Sequence, residues 1–396
     1  MLFNISVLKS FLLKEESVNR RIVVSVTNDL VTDQRVHRAC TALHDEGYNV
    51  TLVGRRLPHS APVTRQYRTV RMRLLFEKKA VFYAEFNIRL FFKLLFSRAD
   101  CFYANDTDTL PANYLAARLR RKPLFFDAHE MFPEVPELVG RQRVKRFWTW
   151  IEDRIFPKIA TKPRMAAVTV CGSIADIYKE RYGLDMAVVR NVPMERPAPP
   201  RGDKPPCPVL LYQGAVNVGR GIEWIADAMQ YLPDYRFVVA GVGDKYEELR
   251  QRYKHDNITF VGRLEPDRLY EITTSATLGM SLLENRGLNY YYSLPNRLAD
   301  FVQARVPVLA TDFPEIRNVV EGYGVGTLMP PQPFDASRCE SQPPNPHAMA
   351  QTIRNAVEYW SQMPADEKKR RFDAAAKELS WNNDKTILLN QISKIL

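Results

Sequence analysis

The sequence predicts an α/β protein with two doubly wound, Rossmann-like domains that face each other across a cleft. Three observations predict it. Short apolar runs followed by helix signals recur from Arg21 to Val189, a proline-rich stretch interrupts them, and the alternation restarts at Val209. Alternating strands and helices imply parallel sheets covered by helices, which bind ligands beyond the carboxyl ends of their strands. The interrupting stretch, MERPAPPRGDKPPCP over residues 194–208, holds six prolines and reads as a semi-rigid linker. The expected division is 1–193, a linker at 194–208, 209–362, and terminal helices over 363–396.

In the first domain, Ile22–Val26 is a buried strand and Asn28–Asp33 a turn-rich loop. Val36, Ala39, Cys40 and Leu43 share a helical face, Gly47 ends that helix, and Val50–Val53 is the next strand. This βαβ unit carries no G-x-G-x-x-G, so a nicotinamide dinucleotide has little support. Cys101–Tyr103 is a strand, and the run Asn105 to Thr109 caps a helix reaching Arg121. Leu124–Asp127 is a strand leading into Ala128, His129 and Glu130. Ala167–Val170 is a strand, Ser173 caps a helix, and Ala187–Val189 is another strand.

In the second domain, PVLLYQ gives a strand to Tyr212 and a helix starts near Gly221. RFVVAGVGD, NITFVGRL and ATLGMSLL are further strands, each followed by a helix signal. Residues 289–316, NYYYSLPNRLADFVQARVPVLATDFPEI, read as loop, helix, short buried strand and turn. Ser293 or Asn296 lies near the helix cap with Pro295 in the first turn, and Pro314 opens the following helix. Residues 330–347 read as a surface insertion, and Trp381–Leu396 as a last amphipathic helix.

Composition bounds the function. An apolar content of 45% and a charged content of 26% are those of a globular protein. The five cysteines are scattered without metal-like or paired spacing, as reduced thiols in a cytosolic protein are. The first residues, MLFNISVLKSFLLKEESVNRR, make a poor signal peptide, and no apolar run reaches the length of about 18 residues that a membrane span needs. The net charge of +11 is uneven: residues 1–200 hold 33 basic against 21 acidic side chains, residues 201–396 hold 23 against 24. The first half therefore expects an anionic partner: nucleic acid, a membrane surface or a phosphorylated acceptor. No nucleic-acid module accompanies the charge, so nucleic acid is not expected.

Most candidate site residues sit at strand ends. The loop from Gly214 to Gly221 lets backbone amides approach a phosphate at a helix start, and Arg220 offers a bidentate contact; an ordinary tight turn would look the same. Gly241 and Gly243 follow the next strand, and Arg263 the one after it. Asp300, with Asn296 and Arg297 on the same helix, can accept two hydroxyls of one vicinal diol such as a ribose, or only complement the helix dipole. His129 at a strand end can bond a sugar or a phosphate oxygen, or serve the structure alone. Asp106 and Asp29 occupy similar loops, where capping is the simpler role.

Taken together, these segments resemble the family-4 retaining glycosyltransferases of the GT-B fold, over about residues 21–395. In that family a helix-borne carboxylate, here Asp300, holds the nucleotide ribose ahead of a Gly-x-Pro-Val strand, matched by Pro307-Val308. Arg305 replaces the family's Gly. Tyr292 stands at its first acidic position, so the usual contact to the donor sugar does not carry over. The loop matches G-R-L-x-x-x-K-G at Gly214, Arg220 and Gly221, but Ala215 stands for its Arg; by position, Arg297 can supply that charge. Phe126 to Glu130 matches D-x-H-E, and the loop at Arg263 corresponds to one that reaches the base. In the family the last helix crosses back to the first domain.

The resemblance implies a retaining transfer from a nucleotide diphosphate sugar to a glycan or lipid-linked acceptor in cell-surface polysaccharide or glycoconjugate synthesis. No metal or other cofactor is expected, with Arg220 neutralising the leaving diphosphate and His129 placing the sugar. A GT-B nucleotide-sugar epimerase and a non-catalytic assembly partner stay open, the latter because of Ala215 and Tyr292. Residues 78–98, KKAVFYAEFNIRLFFKLLFSR, form a helix whose apolar side chains cover all but a stripe of Glu85, Arg89 and Lys93. Burial in the core or docking on an anionic membrane both fit, and membrane docking predicts a cytoplasmic, peripheral protein.

Overall fold

The computed structural model describes residues 20–396 apart from 32, 136–137, 139–140, 200–204 and 336–339. The start read as a poor signal peptide thus lies almost wholly outside the described residues, as do Cys339 and parts of the linker and of the insertion. The chain divides into two compact units. The first runs to Arg190 and takes back Asp384–Leu396; the second is Asn191–Asn383.

The first unit is a seven-stranded parallel sheet. Its strands are β1 (Arg21–Asp29), β2 (Asn49–Arg55), β3 (Arg68–Met72), β4 (Cys101–Asn105), β5 (Leu124–Ala128), β6 (Met165–Thr169) and β7 (Met186–Val188), in the order β3-β2-β1-β4-β5-β6-β7. The order reverses between β1 and β4, which puts the switch point of this unit there. The apolar runs of β4 and β5 are wholly buried, as strands covered on both faces must be. Helix α1 (Gln34–Asp45) starts at Asp33, whose carboxylate accepts the Val36 N–H at 3.0 Å. Helices α2 (Lys79–Leu95), α3 (Asp106–Arg120), α4 (Gln142–Ala160) and α5 (Gly172–Tyr182) complete the crossovers. The final segment belongs to this unit through Asp384, 1% exposed, which accepts from the backbone N–H and Nε of Arg190.

Helix α2 has one buried face and one open face. Phe82, Phe86, Leu90 and Leu94 are buried, while Val81, Ile88, Phe92 and Phe96 are 50–80% exposed. Glu85 does not simply face water: its carboxylate accepts the backbone N–H groups of Leu75 and Phe76 and pairs with Arg89 at 2.6 Å. No helix of the described residues is long and apolar enough to cross a membrane.

The second unit has six parallel strands, β8 (Val209–Gln213), β9 (Arg236–Ala240), β10 (Ile258–Gly262), β11 (Leu278–Ser281), β12 (Val308–Thr311) and β13 (Gly326–Met329), ordered β10-β9-β8-β11-β12-β13. Its switch point lies between β8 and β11. The β8 loop leads to a short helix, α6 (Ile222–Ala228), and the next functional stretch is α7 (Asn296–Gln303).

Three caps differ from the sequence reading. Pro295, not Ser293 or Asn296, is the cap of α7; Ser293 instead bonds the Tyr290 carbonyl at 2.9 Å. Helix α5 is capped at Cys171, two residues before Ser173. Asn105 precedes α3 but makes no capping bond, because its amide donates to the Ser25 carbonyl across the sheet at 3.0 Å.

Candidate functional site

Two groups of candidate residues form, one in each unit. In the first, the carboxyl ends of β4 and β5 bring Asp106 to His129. One Asp106 oxygen accepts the His129 backbone N–H at 2.8 Å and the other lies 3.2 Å from Nδ1. Asp106 takes φ +57°, a left-handed backbone that costs a residue with a Cβ, and the cost falls where α3 starts beside the imidazole. Below them Asp127, 1% exposed, accepts from Arg35 at 2.6 Å and from the Tyr103 hydroxyl at 2.7 Å. Asp127 also lies 3.6 Å from His129 Nε2, too far for a hydrogen bond, and that buried nitrogen has no bonding partner among the described residues.

The charges order themselves around this cluster. Burial alone would raise Asp127 and lower His129. For Asp127, Arg35 and then His129 outweigh burial and hold the carboxyl well below its usual range. For His129, Asp106 and Asp127 outweigh it and raise the imidazole to about 9. Asp106 goes the other way, lifted by burial with His129 opposing. These directions conflict over how the Asp106–His129 charge is shared. A charged imidazolium prevails, because Asp127 stays ionised beside Arg35 whatever Asp106 does. Burial and then Asp106 push Asp108 up to about 8, and it accepts from Thr27 at 2.6 Å.

The other first-domain candidate, Asp29, stays apart from this cluster. It pairs with Arg71 at 2.6 Å and accepts from Ser60, so it ties the β1 loop down. Arg35, Tyr103 and Asp127 belong to the cluster but were not singled out by the sequence. Only the D-x-H-E match at Asp127 pointed to any of them.

In the second unit the loops after β8, β9 and β10 are stitched together. Gly214 N–H donates to Ala240 at 2.9 Å, Gly241 N–H to Gly262 at 2.8 Å, and Val216 N–H to Val242 at 3.1 Å. Gly241 has φ +145°, and a Cβ there would stand 1.8 Å from the Gly214 carbonyl oxygen. Gly243 is equally confined, its Cβ position 2.3 Å from Asn217 Oδ1. Arg263 and Asn296 are both exposed.

Two guanidinium groups define the centre. Arg220 lies over the Tyr290 ring at 4.8 Å and Arg297 over the Tyr212 ring at 4.7 Å. Arg297 is 7% exposed, and its Nη1 is 3.8 Å from where a Gly214 Cβ would be. Its Nε and Nη2, and Nε of Arg220, are buried without hydrogen-bond partners among the described residues. Neither side chain pairs with a carboxylate among the described residues. Burial first, and Arg220 next among the opposing charges, lower the Arg297 guanidinium. Two unneutralised cations beside glycine-loop amides suit an anion. The seven-residue α6 adds little axial dipole, so the arginines rather than the helix start supply the field. Asp300 lies half-buried on α7, where Gln213 Nε2 donates to it at 3.1 Å and Thr273 in turn holds Gln213 at 2.7 Å.

The comparisons fit these two units. The family model "Glycosyltransferase Family 4" matches residues 33–193, and "Glycosyl transferases group 1" matches 207–358. No curated protein sequence matches the chain. Among solved structures, sucrose-phosphate synthase from Thermosynechococcus elongatus is similar with a TM-score of 0.70 and 15% identity, covering 94% of this chain and 98% of that one. HepE of Anabaena, in complex with UDP-glucose, is similar with a TM-score of 0.66 and 12% identity over 94% and 99%. WaaG, a glycosyltransferase involved in lipopolysaccharide biosynthesis, gives 0.63 and 12% over 93% and 99%. At these identities the structures speak to the fold.

Proposed function

The chain belongs to the glycosyltransferases of the GT-B fold, family 4 over its first unit and group 1 over its second, and from that premise we propose a reaction. It moves a sugar, with retention, from a nucleotide diphosphate donor to a glycan or lipid-linked acceptor of a cell-surface polysaccharide or glycoconjugate. The observation that carries the donor class is the pair Arg220 and Arg297, buried nitrogens without partners beside the Gly214 loop. The UDP-glucose held by HepE and the lipopolysaccharide role of WaaG support the donor and the pathway class.

Each residue then has a task. The two arginines take the diphosphate and neutralise the charge that grows on it as the sugar leaves, a contribution typically of about 10²–10³ in rate per contact. Arg297 supplies the cation that Ala215 lacks. The glycine loops give their amides to the phosphates, Asp300 accepts the ribose hydroxyls, and Arg263 and Asn296 border the base and ribose. The imidazolium of His129, fixed by Asp106, positions the sugar. In front-face attack the bond from the anomeric carbon to the phosphate oxygen breaks as the bond to the acceptor oxygen forms. The acceptor proton moves to an oxygen of the leaving diphosphate, and no metal or other cofactor takes part. The protein works in the cytoplasm, at the inner face of a membrane.

Incubation with radiolabelled nucleotide sugars, with and without membrane extract, tests the reading. Transfer of label to extract supports it. Free nucleotide released without acceptor would make the protein an epimerase, and no turnover with either would make it an assembly partner.

A further inference from the structure

Arginines meet the β8 loop in two different ways. Arg286 packs its stem against Gly219, its Cδ 2.5 Å from where a Gly219 Cβ would stand, and Glu284 takes its guanidinium at 2.8 Å. A guanidinium placed in this way is already neutralised and has given up donors. Arg220 and Arg297 are placed by tyrosines instead. Tyr290, 7% exposed, lies under Arg220, and Tyr212, wholly buried, lies under Arg297. Each ring is in turn tethered to the loop. The Tyr212 hydroxyl donates to the Ala215 carbonyl at 2.6 Å, and the Tyr290 hydroxyl to the Val218 carbonyl at 3.1 Å. Gly219 makes room for this arrangement, since a Cβ there would stand 2.8 Å from Tyr290 Cε2. All these residues belong to the second unit.

The two kinds of hold differ in what they leave free. A carboxylate bonds the N–H groups of the guanidinium, which are the donors a phosphate needs. An aromatic ring attracts the cation through its quadrupole, most strongly where water is excluded, and consumes no N–H. The bonding agrees: Nε and Nη2 of Arg297 and Nε of Arg220 have no partner among the described residues. We infer that Tyr212 and Tyr290 are positioning residues of the diphosphate site. Each ring holds one arginine in place while leaving it charged and free to donate, and each hydroxyl fixes that arginine to the glycine loop. Loop and cations are thereby ordered before the ligand arrives, which lowers the cost of ordering them on binding. The diphosphate as ligand rests on the glycosyltransferase reading; the ring-held, unneutralised cations do not.

Calorimetric titration of the wild type, Tyr290→Phe and Tyr290→Leu with UDP, GDP, ADP, TDP and inorganic pyrophosphate tests this. The matching nucleoside is followed by NMR titration. The nucleoside diphosphate that binds the wild type binds Tyr290→Phe within about threefold and Tyr290→Leu at least about tenfold more weakly, since only leucine removes the ring. Nucleoside affinity is the same in all three, because a nucleoside carries no charge for the cations to meet. Diphosphate affinity in Tyr290→Leu equal to that of the wild type would overturn the inference. So would Tyr290→Phe binding as weakly as Tyr290→Leu, which would leave the ring no part, and so would a parallel loss of nucleoside binding, which would make the ring a packing residue. Tyr212→Phe and Tyr212→Leu repeat the comparison at the other ring, so the test stands if Tyr290→Leu does not fold. If the wild type binds no nucleoside diphosphate, the glycosyltransferase reading falls and pyrophosphate alone decides the inference. Pyrophosphate binding that depends on the ring supports it, and binding that is absent or independent of the ring overturns it.

Discussion

Asp106 grips His129 twice, accepting its backbone N–H at 2.8 Å while its second oxygen lies 3.2 Å from Nδ1. The strained Asp106 backbone and the imidazole are thus one unit. His129 is raised to about 9 in the fold, against an ordinary value near 6.5. The stabilisation it contributes is therefore fully present below about pH 6.5 and is lost as pH rises through about 9. Melting temperatures of wild type and His129→Gln, compared from pH 6 to 10, check this: the wild type falls more steeply towards the alkaline end. Parallel curves would mean that the imidazole is neutral in the fold.

Arg35→Ala removes the partner of a carboxylate that is 1% exposed. Breaking such a buried pair by removing one partner costs about 3–5 kcal/mol. Urea denaturation should show a loss in that range, with Arg35→Met losing less if Asp127→Asn is added. A change under about 1 kcal/mol would mean that water reaches the pair.

Asp300→Ala should weaken nucleoside diphosphate binding by about tenfold and spare the fold, since one charge-assisted ribose contact disappears. Gln213 then loses a single acceptor. Calorimetric titration reads the affinity, and equal values for both proteins would return Asp300 to a purely structural part.

The open face of α2 predicts binding to anionic membranes. Phe92 and Phe96 stack at 6.5 Å in the open, next to a stretch where residues 51–100 hold 11 basic against three acidic side chains. Arg89 is tied to Glu85, so Lys78, Lys79 and Lys93 are the cations to replace. Liposomes rich in phosphatidylserine should sediment the protein at low salt and release much of it at high salt, and the triple Gln variant should bind more weakly. Protein that stays in the supernatant at low salt would leave that face to some other partner.

Much of this architecture is legible in the chain, for reasons that differ by residue. β1, β4, β5 and β8 stand out because strands covered on both faces must be apolar throughout. β3 hides because Arg68 and Arg71 break its pattern and Met72 alone is buried. The glycine loops and Arg220 are local and readable. The partnership of Arg35 with Asp127 spans 92 positions, and no spacing rule links them. Arg297 was readable by position as the cation that can stand in for Ala215, but its burial against the Tyr212 ring without an acid comes only from the fold. Ser173 and Ser293 mislead because capping preference ranks residue types but does not locate the turn.

We propose that Arg220 and Arg297 together bind the diphosphate of a sugar donor. Calorimetric titration of the wild type and of Arg220→Ala and Arg297→Ala with UDP, GDP, ADP and TDP tests it most directly. At least one nucleoside diphosphate should bind saturably to the wild type, and each variant should bind it at least about tenfold more weakly, a loss of about 1.4 kcal/mol or more. No saturable binding of any of the four to the wild type, or unchanged affinity in both variants, would contradict the account.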